Sequence, residues 1–100
     1  MDNFKLYKGK LTIALSGELD HATAPPLRNE IDILLNKESY GQVIFDMSDL
    51  RFMDSTGVGL ILGRYKLLKN KNKLLLIKSP QDAVDKVLRV SGIYSIIPRI

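Results

Sequence analysis

The sequence predicts an α/β domain with a mixed sheet of four to five strands, in the order β-β-α-β-α-β-α-(β). Period-2 alternation near the N-terminus indicates a β-hairpin, and thereafter short apolar runs alternate with stripes of helical spacing. Strands that alternate with helices form parallel pairs with right-handed crossovers, so the hairpin makes the sheet mixed. A length of 100 residues allows one domain with one modest core.

Alternating apolar and polar residues mark the first two strands. The alternation covers 3–6 and 11–16, and 8–10 separates the two segments. This pattern predicts a β-hairpin with one buried face. Gly17 is expected to end the second strand, with 18–21 forming a polar loop.

The first helix is predicted to begin at Thr23. Threonine is a favourable N-cap, and Pro25 and Pro26 fall in the first turn, where a missing N–H costs little. Four apolar residues then recur at helical spacing and form one stripe: Leu27, Ile31, Leu34 and Leu35.

Two short continuous apolar runs, 43–45 and 74–77, are typical of central strands that are covered on both faces. A second helix over 57–69 lies between them. It contains Gly59 and Gly63. Since glycine costs about 1 kcal/mol in a helix interior, both are expected to pack closely against a neighbouring element.

The last helix is predicted from the residues Ser-Pro-Gln-Asp at 79–82, which supply an N-cap at Ser79 and a proline at the first helical position. Gly92 is a suitable C-terminal stop. Two isoleucines at 96–97, just before Pro98, predict a short fifth strand at the sheet edge.

Composition narrows the class of protein. The chain has 15 Lys and Arg against 11 Asp and Glu, a net charge of +4, one His and no Cys. Disulfides and thiol chemistry are therefore excluded, and a metal site is disfavoured because Asp20 and Asp54 would be a thin ligand set. No apolar stretch is long enough for a signal peptide or a membrane span, which favours a cytoplasmic protein that does not bind membranes.

The local chemistry that stands out lies at 54–57, where an acid, two hydroxyls and a glycine open the second helix. First-turn N–H groups have no intrahelical partner, so Ser55 can cap them, and this is the preferred interpretation of Ser55 taken alone. The same N–H groups and the helix dipole favour an anion, whereas Asp54 would oppose one. A phosphorylated hydroxyl here would therefore act as a switch.

Two polar loops, 17–21 and 46–57, leave the carboxyl ends of predicted parallel strands. Sites in such sheets collect at that edge, so the two loops are expected to converge. A serine hydrolase is disfavoured, because His21 is the only imidazole and Met53 replaces the first glycine of a nucleophile elbow. His21 can equally be an exposed loop residue, and Asp20 a turn cap.

Two motifs carry a resemblance to a known family. The chain reads GELDH at 17–21 and FMDSTGVG at 52–59, continuing as ILGRYK at 61–66. In these residues, and through nearly its whole length, it resembles the anti-sigma factor antagonists, a group of STAS-type domains, and most of all those that act in sporulation. The resemblance implies a single STAS domain over 1–100 with the element order predicted above.

The resemblance implies a binding module without catalytic activity and without a cofactor. Ser55 corresponds to the serine that is phosphorylated in the family by the anti-sigma factor, itself an ATP-binding serine kinase. The unphosphorylated protein binds the ATP- or ADP-bound anti-sigma factor and releases the sigma factor. By this resemblance, phosphorylation at Ser55 is expected to abolish the binding, and a serine phosphatase is expected to restore it.

The partner-facing surface that the resemblance implies combines the loop after the second strand with the start of the second helix: Glu18, Asp20, His21, Asp54, Thr56, Gly57 and Val58. Thr56 stands where the family commonly has a second serine. Relatives often carry a further C-terminal helix. Its absence would expose part of the sheet or of the 57–69 helix and favour self-association, as a dimer, over the expected monomer.

Three other classes stay open. A STAS module of a stress or other regulatory pathway would use the same switch with another partner. A nucleotide- or small-molecule-binding STAS domain is the second. Direct nucleic-acid binding is the third, and it is disfavoured because the chain shows no basic patch interleaved with aromatic residues.

Overall fold

The computed structural model describes residues 3–100. Its elements follow the predicted order of two strands and then alternating helices and strands. They are β1 (Phe4–Tyr7), β2 (Lys10–Leu19), α1 (Ala24–Lys37), β3 (Gln42–Met53), α2 (Ser55–Asn70), β4 (Leu74–Lys78), α3 (Asp82–Ser91) and a short 3₁₀ helix (Ile93–Ser95).

The sheet has four strands in the order β1-β2-β3-β4. β1 pairs antiparallel with β2, while the pairs β2–β3 and β3–β4 are parallel. Lys8 and Gly9 connect β1 to β2 with φ values of 49° and 78°. Such positive angles match the right-handed twist of the flanking strands. The mixed sheet that the hairpin predicts is therefore confirmed.

The hydrophobic core lies on one face of the sheet, because alternate strand residues point to the same side. Leu11 pairs with Val43, and Val43 pairs with Leu75, so one row of buried side chains crosses three strands. All three helices add residues to this cluster, among them Ile31, Leu34, Ile61, Leu68, Val84 and Leu88. None of the helices between residues 3 and 100 is long and apolar enough to span a bilayer.

β2 and β3 are both longer than the sequence predicts. Gly17 does not end β2; it lies within the strand at φ 75°, and pairing continues to Leu19 opposite Met53. The expected polar loop over 46–57 is likewise wrong, since β3 runs to Met53 with Met47 and Leu50 fully buried. Only one residue therefore separates β3 from α2.

The region around β4 also differs from the prediction. β4 is an edge strand rather than a central one, and Leu74 is 64% exposed. The fifth strand expected at 96–97 is replaced by the end of the 3₁₀ helix and a buried Ile97. Only the last residues approach the edge: Ile77 N–H donates to Pro98 O at 2.9 Å, and Ile100 N–H donates to Ile77 O at 2.7 Å.

The helix ends are partly as predicted. α1 follows Thr23, although the Thr23 hydroxyl makes no cap hydrogen bond to the helix. α3 begins at Asp82, three residues after the predicted Ser79 cap, and Gln81 occupies the N-cap position. Gly92 ends α3 in the left-handed conformation at φ 80°, which confirms it as the stop.

Candidate functional site

The carboxyl ends of β2 and β3 lie side by side. Leu19 pairs with Met53 at the ends of the two strands, and the Asp54 N–H donates to the Leu19 carbonyl oxygen at 3.2 Å. The loop after β2 and the start of α2 are therefore neighbours in space, although more than thirty residues separate them in the sequence. The predicted convergence of these two segments is confirmed.

Gly57 allows this close approach. A Cβ built on Gly57 would lie 2.6 Å from Met53 Cγ and 2.9 Å from Leu19 Cγ, distances that real Cβ atoms essentially never show. Gly57 is buried, so it supports the surface from below and presents no side chain to a partner. Close packing was expected instead at Gly59 and Gly63, and that expectation is wrong: a Cβ at either position meets nothing within 4 Å.

Asp54 is the N-cap of α2. Its Oδ1 accepts a hydrogen bond from the Thr56 N–H at 2.9 Å, and its backbone is extended, as a cap requires. The interpretation of Ser55 as the cap is therefore wrong. Ser55 is the first helical residue and is exposed, and its hydroxyl makes no hydrogen bond with any of residues 3–100.

The loop after β2 is held by Asp20. Its Oδ1 accepts hydrogen bonds from the N–H groups of Ala22 at 2.9 Å and Thr23 at 3.0 Å. The Thr23 hydroxyl donates to the Glu18 carbonyl at 2.9 Å and accepts from the Asp20 N–H at 2.9 Å. The Thr23 N–H is the largest cause of a lowered pKa of the Asp20 carboxyl. Asp20 is thus a turn cap that stays ionised and fixes the loop in one shape.

The other residues singled out in the sequence differ in exposure. Glu18 was expected in the loop but lies near the end of β2, where its side chain is exposed, and His21 is exposed in the loop that follows. Thr56 and Val58 are half-buried on α2. Apart from the buried Gly57, all the residues of the predicted partner-facing surface lie at the surface of the same end of the domain. No three His, Asp or Glu side chains among residues 3–100 are grouped so that they could hold a metal ion.

An apolar groove lies beside Ser55, and the sequence did not reveal it. The groove between α2 and α3 has a volume of about 450 Å³. Its lining is largely apolar and consists of Ser55, Val58, Lys86, Val87, Val90 and Ser91. Val90 is 80% exposed. A β-branched apolar residue near the end of a helix, outside the core stripe, is the one sequence signal that could have indicated this groove.

Comparison with known proteins places these features in context. A STAS domain profile matches residues 3–100. The chain is 36% identical over 92 residues to the anti-sigma F factor antagonist of Paenibacillus polymyxa, in an alignment that covers 92% of this chain and 79% of that protein.

Two solved structures share the fold along almost the whole chain. One is the anti-sigma factor antagonist SpoIIAA in its unphosphorylated form, with a TM-score of 0.81, 30% identity and coverage of 97% of this chain and 85% of that one. The other is the phosphorylated form of the Bacillus cell fate determinant SpoIIAA, with a TM-score of 0.72, 28% identity and coverage of 97% and 88%.

Proposed function

This chain belongs to the STAS domain family, and from that premise we propose that it is an anti-sigma factor antagonist controlled by phosphorylation of Ser55. Its relatives include an anti-sigma F factor antagonist and SpoIIAA, which has been solved in unphosphorylated and phosphorylated forms. In the proposed cycle the unmodified chain binds an anti-sigma factor that is also a serine kinase, loaded with ATP or ADP. This binding releases the sigma factor in the cytoplasm.

The observation that carries the proposal is the state of the Ser55 hydroxyl. It is exposed, engaged in no hydrogen bond within residues 3–100, and carried at the start of a helix whose cap is the neighbouring Asp54. A kinase can therefore reach it without unfolding the domain. The Ser55 oxygen would attack the γ-phosphorus of ATP, the bond to the bridging oxygen would break, and ADP would leave while a kinase base takes the hydroxyl proton.

A phosphate at this point would change the surface without disrupting the helix. Phosphorylation adds about −1.5 to −2 charges at neutral pH, and a helix N-terminus tolerates negative charge. For partner binding the phosphate would be unfavourable, because it would lie beside Asp54 and at the edge of the apolar groove. Covering it would cost desolvation and like-charge repulsion. Since each 1.4 kcal/mol is tenfold in affinity, a few kcal/mol suffice to abolish binding.

The proposed contact surface follows from the exposure of the predicted residues. Glu18 and His21 offer exposed side chains, while Asp20, Asp54, Thr56 and Val58 contribute half-buried ones, and Gly57 positions the helix underneath. A kinase that docks over Ser55 would also meet the apolar groove, since Ser55 is part of its wall. We therefore assign the groove to an apolar segment of the anti-sigma kinase, with Lys86 at the rim favouring acidic residues beside that segment.

The chain itself takes the role of a bound and modified substrate, not of a catalyst. A serine phosphatase would remove the phosphate and restore the binding form. The sigma factor pathway, whether sporulation or stress, depends on which anti-sigma kinase recognises this surface. Incubation of the chain and ATP with candidate anti-sigma kinases, followed by mass spectrometry of Ser55 and Thr56, identifies that partner and the acceptor hydroxyl.

The test is a comparison of affinities for that kinase, measured by calorimetry in the presence of ADP. We expect the Ser55-phosphorylated chain to bind at least about a hundredfold more weakly than the unmodified chain, and Ser55→Ala to bind normally. Ser55→Asp should fall between the two, because it carries one charge where phosphate carries nearly two. Ser39→Asp adds the same charge in the α1–β3 connection and should bind normally. Equal affinity of the phosphorylated and unmodified chains would overturn the proposal.

A further inference from the structure

A second cleft opens between α1 and α2, away from the groove beside Ser55. Its volume is about 470 Å³, which lies within the usual range for small-molecule sites. The residues that matter for its chemistry are His21, Arg28, Thr56, Gly59, Gly63 and Arg64. Among the described residues that line it, none is acidic.

The floor of this cleft is a glycine face on α2. Gly59 and Gly63 are one helical turn apart, and a Cβ at either would meet no atom within 4 Å. Glycine weakens a helix interior, and here no close contact with residues 3–100 offsets that loss. The two glycines instead leave open space that alanine methyl groups would begin to fill.

Arg64 supplies an incompletely satisfied cation at the same place. It is only 9% exposed, and it lines the cleft. Its Nε forms an ion pair with Asp32 Oδ1 at 3.1 Å, although without hydrogen-bond geometry, and Nη1 has no hydrogen-bond partner among residues 3–100. Guanidinium groups carry five N–H donors, and buried donors without acceptors are costly. Nε and Nη1 are themselves closed off from solvent, so an oxyanion in the cleft would bind Arg64 through Nη2, which is not among the buried atoms of this guanidinium.

Other polar groups converge on the cleft. Arg28 is exposed on α1 and forms no ion pair with any of residues 3–100. The His21 imidazole and the Thr56 hydroxyl complete the polar part of the lining. Two guanidinium groups and a hydroxyl around an open glycine face are suited to an oxyanion, because arginine binds phosphate and carboxylate groups through paired N–H donors.

We propose that this cleft binds a small organic anion. Its phosphate or carboxylate group contacts Arg28 and Arg64, and its uncharged body lies on the glycine face of α2. This site is independent of the proposed phosphorylation of Ser55. It nevertheless adjoins the proposed partner surface, since His21 and Thr56 belong to both. An occupied cleft would therefore alter what the anti-sigma kinase meets there.

The test is an NMR titration of the ¹⁵N-labelled full chain at constant ionic strength, with chloride as the balancing anion. The probes are inorganic phosphate, citrate and ribose 5-phosphate, so that phosphate and carboxylate ligands are separated and a ligand with a body is included. We expect saturable shifts of the Thr56, Gly59 and Gly63 amides and of the Arg64 Nε–H with at least one probe. Shifts that grow linearly with all three probes would overturn the proposal.

Variants separate a specific site from general attraction to a basic protein. Arg28→Gln should weaken anion binding roughly fivefold to tenfold. Lys66 is an exposed charged residue on α2 outside the cleft, so Lys66→Gln should leave anion binding unchanged. Gly63→Ala should fold normally, because its methyl group enters open space. This variant should weaken the binding of ribose 5-phosphate more than the binding of inorganic phosphate. Equal effects of Arg28→Gln and Lys66→Gln would contradict the site.

Discussion

The carboxylate of Asp54 caps α2 through the backbone N–H of Thr56, with 2.9 Å between Oδ1 and N. The residue that precedes the proposed phosphorylation site therefore has a structural task, which leaves the hydroxyl of Ser55 unoccupied. The acid at 54 thus stabilises the helix start, and the serine at 55 remains available for chemistry.

Loss of this cap should cost stability. We expect Asp54→Ala to lower the free energy of unfolding by about 1 kcal/mol, the usual cost of removing an N-cap acceptor, in urea denaturation followed by circular dichroism. Asp54→Asn keeps an acceptor oxygen and should retain most of the stability. Asp49→Ala, which removes an exposed acid from β3, serves as the control. Equal losses for Asp54→Ala and Asp49→Ala would refute the capping role.

The element order and the meeting of the two loops could be predicted, because hydrophobic period and strand direction are local properties of the sequence. The length of β3 could not. In its second half the buried residues Met47, Leu50 and Met53 are spaced by three, which matches neither simple alternation nor a continuous run. The register with β2 shifts twice, between Ala14 and Ser16 and between Gly17 and Glu18, and each shift adds one residue to β3.

For the candidate site, too, the sequence predicts some features and not others. The motif identified Ser55 and its neighbours, but exposure, the Asp54 cap and the groove with Val90 depend on how α2 and α3 pack. Nor does the sequence tell which glycine of α2 faces a neighbour. Gly57 does, whereas Gly59 and Gly63 do not, because only the first turn of α2 is pressed against the ends of β2 and β3.

Alanine substitutions at two glycines of α2 should have opposite effects on stability. Gly57→Ala forces a methyl group against Met53 and Leu19 and should lower the free energy of unfolding by about 1–3 kcal/mol. Gly59→Ala has open space and should raise it by up to about 1 kcal/mol, through better helix propensity. Paired urea denaturations measure both changes. A stabilised Gly57→Ala or a destabilised Gly59→Ala would contradict the packing described for α2.

Asp85 should contribute to the pH dependence of stability. It accepts hydrogen bonds from the Tyr94 hydroxyl at 2.5 Å and from Arg89 Nη2 at 2.9 Å, and Arg99 Nε lies 3.4 Å away. The Tyr94 hydroxyl is the largest cause of a lowered pKa of the Asp85 carboxyl, followed by Arg89. A carboxyl with a lowered pKa in the folded state stabilises the fold above its ordinary value of 3.8, and this contribution is lost as the pH falls through the lowered value.

We therefore expect Asp85→Asn to be less stable than the parent chain at pH 7, with a difference that shrinks as the pH falls below 3.8. Thermal unfolding measured from pH 7 to pH 2 tests this. Tyr94→Phe removes the main hydrogen-bond donor and should also flatten the acid limb of the curve. A difference between Asp85→Asn and the parent that stays constant across this range would show that the ionised carboxylate does not stabilise the fold.

Val90 should matter for binding but not for folding. Its side chain is 80% exposed on the wall of the groove that Ser55 shares, so Val90→Asp buries no new charge in the free domain. In the proposed complex the anti-sigma kinase covers the groove and would have to desolvate that carboxylate. We expect the affinity of the unphosphorylated chain for the kinase to fall at least about tenfold. The rate of Ser55 phosphorylation, measured at chain concentrations that do not saturate the kinase, should fall with it. Ile33→Asp is the matched control, since Ile33 is 67% exposed on α1 and lies outside the groove.

Calorimetry and circular dichroism of both variants separate the effect on binding from any effect on folding. Normal binding of Val90→Asp, with Ser55 still phosphorylated at the parent rate, would mean that the kinase reaches the serine without entering the groove.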